Sequence, residues 1–138
     1  MTVRSLMTVC TLTVCVGLFG CKGAKPDGPL VGTESLHDLM ESLESASKPL
    51  FDRSAGAALT DADVTTLTAS ANRVQAINAA VKTRFAGSKP PTFAGHSEQL
   101  EKGAQDVLAA LTAKDTAALQ AAVKTLGGAC GGCHKEFK

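Results

Sequence analysis

Aromatic residues are scarce in this sequence, which contains no tryptophan, no tyrosine and five phenylalanines in 138 residues. Large aromatic side chains usually supply much of the apolar surface that a core buries. A core of alanine, leucine and valine is thin for a chain of this length. We therefore expect something other than side chains to fill part of the interior.

An excess of charge of either sign is also absent, since the sequence has 14 lysines and arginines and 13 aspartates and glutamates. Nucleic-acid binding needs a clustered basic surface, and the sequence has no such cluster. We expect no nucleic-acid partner. Balanced charge also predicts that encounters with protein partners are brief and only weakly dependent on salt.

The one long apolar run, residues 6–19, follows Arg4 and is too short to span a bilayer comfortably. A positive start and a short apolar run are typical of a signal peptide. The stretch Leu18-Phe19-Gly20-Cys21 resembles the lipobox of bacterial lipoproteins, which implies cleavage before Cys21 and lipid on its thiol. Residues 1–20 are thus predicted to be a signal peptide. An ordinary secretory signal is the alternative, and both export the chain.

Cleavage of the predicted signal peptide would remove Cys10 and Cys15, and lipid would occupy Cys21. Cys130 and Cys133 would then be the cysteines left for chemistry in the domain. Residues 21–32 are rich in proline, glycine and lysine without apolar periodicity, and predict a flexible tether. A single domain is expected over residues 33–138. The predicted location is the periplasm, on a membrane.

Four segments of that domain show helical spacing of apolar residues. The first has Thr33 as its expected N-cap and should bend or end at Pro49. The second starts at Thr60, with Asp63 as the acidic partner of a capping box. Asn78 is the one polar residue in the apolar stripe of this helix.

Residues 86–95 form a turn-rich segment that no helix is expected to cross. The third helix is expected to have its cap near Ser97, and the fourth to be capped by Asp115. No alternating strand pattern of useful length occurs. The sequence predicts an all-α, antiparallel, up-down-up-down four-helix bundle.

The apolar stripe of the fourth helix runs into a cysteine motif. The row continues at helical spacing through Leu119, Val123, Leu126, Cys130, Cys133, His134 and Phe137, so the thiols and the imidazole are predicted to face the core. Cys-x-x-Cys-His is the signature of covalent c-type haem attachment. Two thiols one turn apart can bond the two vinyl groups of a porphyrin, and the next residue can bring its imidazole to the iron. Cys130 and Cys133 are predicted to bind one covalent haem c.

Four glycines flank the motif, at positions 127, 128, 131 and 132. Each glycine costs a helix about 0.5–1 kcal/mol relative to alanine. We expect these positions to omit side chains where the edge of the porphyrin approaches the backbone.

Three other interpretations of the motif explain less. A structural zinc site needs four ligands, and only His37 and His96 stand elsewhere in the chain to add to this single pair. A redox-active pair needs a thiolate at a helix N-terminus, whereas these cysteines stand near a helix C-terminus. A disulfide between neighbours three apart in a helix is awkward and leaves His134 unexplained.

The bundle and the ending CGGCHKEFK resemble class II cytochromes c, the cytochrome c-prime group, with Phe137 and Lys138 at positions where that family has an aromatic and a basic residue. The stretch LHDLMESLES and the run AALTAKDTAALQAAVKTL are similar to the periplasmic b-type cytochrome of the same fold. The resemblance implies a haem between the first and last helices, with His134 as proximal ligand. Lys138 is then suited to neutralise a propionate.

The sixth position of the iron decides between two functions. Helical phase places Met40 about 70° and His37 about 130° from the centre of the apolar face of the first helix. Met40 is therefore the expected distal ligand, and His37 the alternative. His96 is expected to be solvated.

With a distal methionine, the resemblance implies a six-coordinate, membrane-anchored electron carrier without catalytic turnover, exchanging electrons with redox protein partners. With the position open, it implies a five-coordinate protein that binds NO or CO in a pocket walled by Leu36, Leu39, Leu43 and Met40. Members of the family often dimerise through the first two helices, and the sequence leaves open whether this chain does.

Overall fold

The computed structural model describes residues 28–53 and 57–138. The helices are α1 (Leu36–Asp52), α2 (Asp61–Phe85), α3 (Pro91–Ala113) and α4 (Thr116–Phe137), with a 3₁₀ turn at Ala86–Ser88. No strand occurs in these ranges, so the predicted all-α four-helix fold is confirmed. None of the helices described is long and apolar enough to cross a membrane. The predicted signal peptide, the lipobox and residues 22–27 of the tether lie outside the described residues.

Successive helices run antiparallel. The Lys114 side chain at the end of α3 bonds Asp61 at the start of α2, whereas Ser97 in early α3 bonds Asn78 in late α2. The start of α2 therefore lies beside the end of α3, and the last part of α2 lies beside the first part of α3. α1 packs on α2, and α4 packs on α3. Short connections between these neighbours give the up-down-up-down order.

The first helix begins later than predicted. Its N-cap is Ser35, whose hydroxyl accepts the N–H of Asp38 at 3.1 Å while the Asp38 carboxylate accepts the Ser35 N–H at 3.0 Å. This capping box satisfies two backbone donors, which Thr33 does not do. The helix also runs through Pro49 to Asp52 rather than ending at the proline. Pro49 stands in the last turn, so only three helical residues follow the one hydrogen bond that its missing N–H removes.

The caps predicted for the second and fourth helices are confirmed. Thr60 and Asp63 form a reciprocal capping box at the start of α2. Asp115 accepts the Ala118 N–H at 2.9 Å at the start of α4. Lys114, just before it, adopts the left-handed conformation that ends α3.

The loop predicted over residues 86–95 is too long, because α3 already begins at Pro91. A proline in the first turn of a helix is favourable, since its missing N–H would have no intrahelical partner there. Ser97 is therefore not a cap but a buried residue inside α3. Its hydroxyl donates to the side-chain oxygen of Asn78 at 2.6 Å, and the Asn78 amide donates to the Ser97 carbonyl at 2.8 Å. The polar residue in the α2 stripe thus has a buried partner.

The core is as poor in aromatics as the composition predicts. In the described residues it consists of leucine, alanine and valine with a single isoleucine and a single phenylalanine, Phe93. The largest fully buried side chains are Leu39, Leu50, Ile77, Leu111, Leu126, Val74 and Val107. Small side chains allow close packing of the helices.

The segment before α1 packs along α2 from Gly28 onward. The Arg73 guanidinium donates to the Gly28 carbonyl. The carboxylate of Glu34 is buried, accepts the Val31 N–H and pairs with Arg84 at 3.0 Å. Residues 28–32, part of the predicted tether, are therefore held against the bundle.

Candidate haem-binding site

The last turns of α4 carry the two thiols of the motif. Cys130 and Cys133 are unbridged, partly buried and packed against the hydrophobic core. Burial raises the pKa of both thiols, with a further contribution from Cys133 for Cys130 and from Glu136 for Cys133. Because a redox-active cysteine needs a lowered thiol pKa, these values disfavour a thioredoxin-like pair.

The imidazole next to the thiols is more exposed than they are. His134 is exposed, so it does not continue the buried row as helical phase predicted. It lies seven residues after Gly127, which places the two only about 20° apart around α4. A Cβ on Gly127 would lie 3.2 Å from the Phe51 ring of α1. His134 therefore stands on the side of α4 that faces α1.

On α1, burial agrees with the phase argument. Leu43 is buried, and Leu36 and Met40 are partly buried against the core. The His37 side chain is 79% exposed and lies 3.9 Å from Glu41. The first helix thus turns its methionine, and not its histidine, toward the interior.

The ligand atoms of His37, Asp38 and Glu41 lie within 4.8 Å of one another, and all three residues are exposed. The Asp38 carboxylate already accepts hydrogen bonds from Ser35. This group holds the start of α1 and does not contribute to a buried centre.

α1 and α4 hardly approach each other directly, since each packs on its neighbour in sequence. A groove of about 330 Å³ separates them toward the start of α4, lined in part by Leu50, Leu119 and Val123. Beyond Gly127, the α1-facing side of α4 carries the motif. Because the helices are antiparallel, the N-terminal half of α1, with Met40, belongs to the same end of the bundle.

The glycines of the motif do not all serve the predicted purpose. A Cβ on Gly132 would lie 3.0 Å from Cε1 and 3.3 Å from Nδ1 of His96, and Gly127 makes room for Phe51. Both therefore admit side chains of neighbouring helices. Gly128 and Gly131 face open space. Of these two, Gly131 lies nearer the side of His134, about 60° away around the helix.

His96 is the residue that sequence reasoning misplaced. It lies inside α3 with a side chain 19% exposed, not in solvent, and its Nε2 is 3.0 Å from the Glu136 carboxylate of α4. Thr92 donates to the other oxygen of the same carboxylate. The Thr92 hydrogen bond, followed by that from His96, lowers the pKa of Glu136.

Phe137 of α4 also packs against α3. Its ring meets Phe93 edge to face at 5.5 Å between centroids, and His96 at 6.1 Å. Recognising Pro91 as a helix start would have exposed this contact, since Phe93 and His96 then fall three apart on one helical face. Lys138 closes the last turn through its N–H to the His134 carbonyl at 3.1 Å, and is exposed.

Two thiols one turn apart and an imidazole on the last helix of a four-helix bundle are the arrangement that a resemblance to four-helix-bundle c-type cytochromes implies. Residues 85–138 match the family model described as Cytochrome C', which supports a cytochrome c-prime-like class for this chain. That family implies covalently bound haem c. Among curated proteins and solved structures, none matches the chain.

The residues present fit that group. Both thiols are free and lie on one side of α4, and Gly131 leaves open space close to the face that carries His134. On the opposing helix, a partly buried methionine stands among leucines. Thiols can form thioether bonds with the vinyl groups of haem. Imidazole and thioether sulfur are ligands that haem iron binds.

Proposed function

We propose that this chain is an exported, membrane-anchored monohaem c-type cytochrome that transfers single electrons and has no catalytic turnover. The observation that carries the proposal is the arrangement of α1 and α4. Helical phase puts His134 about 20° from Gly127, whose Cβ position lies 3.2 Å from the Phe51 ring of α1, and Met40 of α1 is partly buried against the core.

Each residue has a distinct task in this proposal. Cys130 and Cys133 hold the haem through thioether bonds, and His134 and Met40 approach the iron from opposite helices. The bound haem supplies a one-electron centre, and ligation by methionine favours ferrous iron relative to a second histidine. The polypeptide contributes orientation and excludes water through the leucines of α1.

A second candidate is a five-coordinate protein that binds NO or CO. The observation in its favour is the apolar character of α1 around Met40, where Leu39 is fully buried and Leu43 is 8% exposed. Such a wall would suit a small uncharged gas if the methionine sulfur did not reach the iron.

Absorption spectra of the purified full chain separate these candidates. A low-spin ferrous spectrum, with the weak far-red sulfur-to-iron band of the ferric form, is the expected result. A high-spin spectrum that changes on adding CO would replace the first candidate by the second. Absence of a Soret band would overturn both.

The membrane anchor is a separate part of the proposal and rests on Cys21. Gly28 is the first described residue and is already bonded to α2. From Cys21 to Gly28 the chain can span at most about 25 Å, which would keep the bundle close to the bilayer. Replacing Cys21 by alanine should release the protein into the soluble fraction, and the mature chain should carry a lipid mass on Cys21.

A cytochrome of this class implies redox partners. Loss of residues 1–20 would remove Arg4 and no acidic residue, which leaves equal numbers of basic and acidic residues. Partner encounters are accordingly proposed to depend little on salt. Analytical ultracentrifugation would decide whether the bundle dimerises.

A further inference from the structure

The haem motif of α4 is fastened on the side opposite to His134. Around the helix, Gly132 and His134 are about 160° apart, because two residues advance the helix by about 200°. Gly132 faces α3, where it lies under the His96 ring. The motif turn is therefore held by α3 on one side, while helical phase places His134 on the other side of α4.

Three residues of the first turns of α3 make this attachment. Thr92 and His96 bond the two oxygens of Glu136, and Phe93 packs edge to face on Phe137. A bidentate carboxylate contact fixes direction as well as distance, since both donors belong to one rigid helix. We call Thr92, Phe93 and His96, with Glu136 and Phe137, the α3 clamp.

His96 is the central member of the clamp. It contacts Glu136, lies on Gly132 inside the Cys-x-x-Cys loop and faces Phe137. Its Nδ1 is buried and has no hydrogen-bond partner among residues 28–53 and 57–138. The ring thus bonds through Nε2 alone, and its position depends on the Glu136 contact.

We propose that His96 is a positioning residue, which fixes the rotation of the last turns of α4 and so the alignment of His134 with the haem iron. The proposal rests on the proposed haem function, but the attachment of α4 to α3 can be measured independently of it. His96 is proposed to act through Glu136, Gly132 and Phe137 of α4 and not as a ligand of the iron.

Substitutions at His96 test the clamp in the full chain as purified. His96→Leu keeps bulk near Gly132 but removes the bond to Glu136, and His96→Gln places an amide donor at similar reach. For the leucine variant we expect a high-spin fraction in the ferric spectrum and a shifted reduction potential. The glutamine variant is expected to restore the spectrum and the potential of the original chain.

A glycine pair tests the same contact without changing His96. Gly132→Ala would press a methyl group against the imidazole and displace it from Glu136, so it should reproduce the effect of the leucine variant. Gly128→Ala is the matched control. It lies one turn earlier on nearly the same side of α4, faces open space and should leave the potential unchanged.

Amide hydrogen exchange separates the clamp from the haem function. In His96→Leu, residues 129–137 should exchange at least about tenfold faster, as loss of a hydrogen bond to a charged group predicts, whereas α2 should be unaffected. Faster exchange together with an altered spectrum would support the positioning role. Unchanged exchange would overturn the α3 clamp, irrespective of the haem spectrum. Faster exchange with an unchanged spectrum and reduction potential would show that His96 only stabilises the packing of α4 on α3. It would overturn the proposal that His96 aligns His134 with the iron.

Discussion

Gly103 of α3 packs directly on the backbone of Leu126 in α4. A Cβ on Gly103 would lie 3.1 Å from the Leu126 Cα and 3.2 Å from its backbone nitrogen. Backbone atoms cannot move aside as a flexible side chain can. This contact sets the separation of α3 from α4, the helix that carries the haem motif.

Gly103→Ala should therefore destabilise the bundle. We expect a loss of about 1–3 kcal/mol in the free energy of unfolding, as for other overpacked interiors. Gly95→Ala is the matched control on the same helix, because nothing lies within 4 Å of its Cβ position. It should be neutral or gain up to about 1 kcal/mol from helix propensity. Urea denaturation of both variants checks the pair, and equal effects would contradict the close packing.

Met40→Ala tests the distal side of the proposed haem site. Without the thioether, the low-spin spectrum should become high-spin, and the ferrous form should bind CO readily. His37→Ala is the control, since its side chain is 79% exposed and should not reach the iron. An unchanged spectrum in Met40→Ala would refute the distal assignment, and a change in His37→Ala alone would transfer it to the histidine.

The buried pair Asn78 and Ser97 should be energetically coupled. Either alanine substitution leaves a buried polar partner unsatisfied, which typically costs about 1–3 kcal/mol. In the double variant no unpaired side chain of the pair remains, so its loss should be smaller than the sum of the two single losses. A double-mutant cycle of unfolding free energies measures the coupling. Additive losses would show that the two hydrogen bonds contribute independently.

Glu34 should make stability depend on pH. Hydrogen bonds from its own backbone N–H and then that of Val31, together with Arg84, lower its pKa in the folded chain. Its contribution is therefore present above the pKa that it has when unfolded, about 4.3, and is lost as pH falls through the folded value. Glu34→Gln should be less stable at pH 7, and the difference should shrink in acid.

Thermal unfolding from pH 7 to pH 3 checks this prediction. Glu44→Gln, at an exposed position of α1, is the control and should stay within about 0.5 kcal/mol of the original chain. A difference for Glu34→Gln that grows as pH falls would have the wrong sign.

The two motif thiols should react slowly in the haem-free chain. Burial raises the pKa of Cys130 and Cys133, so less thiolate is present at pH 8 than in an unfolded chain. Alkylation followed by peptide mass analysis should show protection that urea removes. Faster alkylation in the folded chain than in urea would indicate an activated thiolate and revive the redox-pair interpretation.

Much of the fold could be predicted because its signals are local. The capping box of Thr60 and Asp63 and the cap at Asp115 depend only on neighbours three residues away, and apolar periodicity is a property of each helix. The start of α3 differs from the prediction for a local reason too, because proline is common in loops but also favourable in the first turn of a helix, where Pro91 stands.

By itself, the sequence determined the helices, the aromatic-poor core and the Cys-x-x-Cys-His spacing, because covalent geometry and helical pitch relate these residues directly. Only the tertiary structure decided that Gly132 accommodates His96, that Glu136 ties the motif to α3 and that Gly127 lies against Phe51 of α1. Those contacts depend on how each helix is rotated against its neighbours. That rotation is set by packing across the whole bundle and not by any one segment.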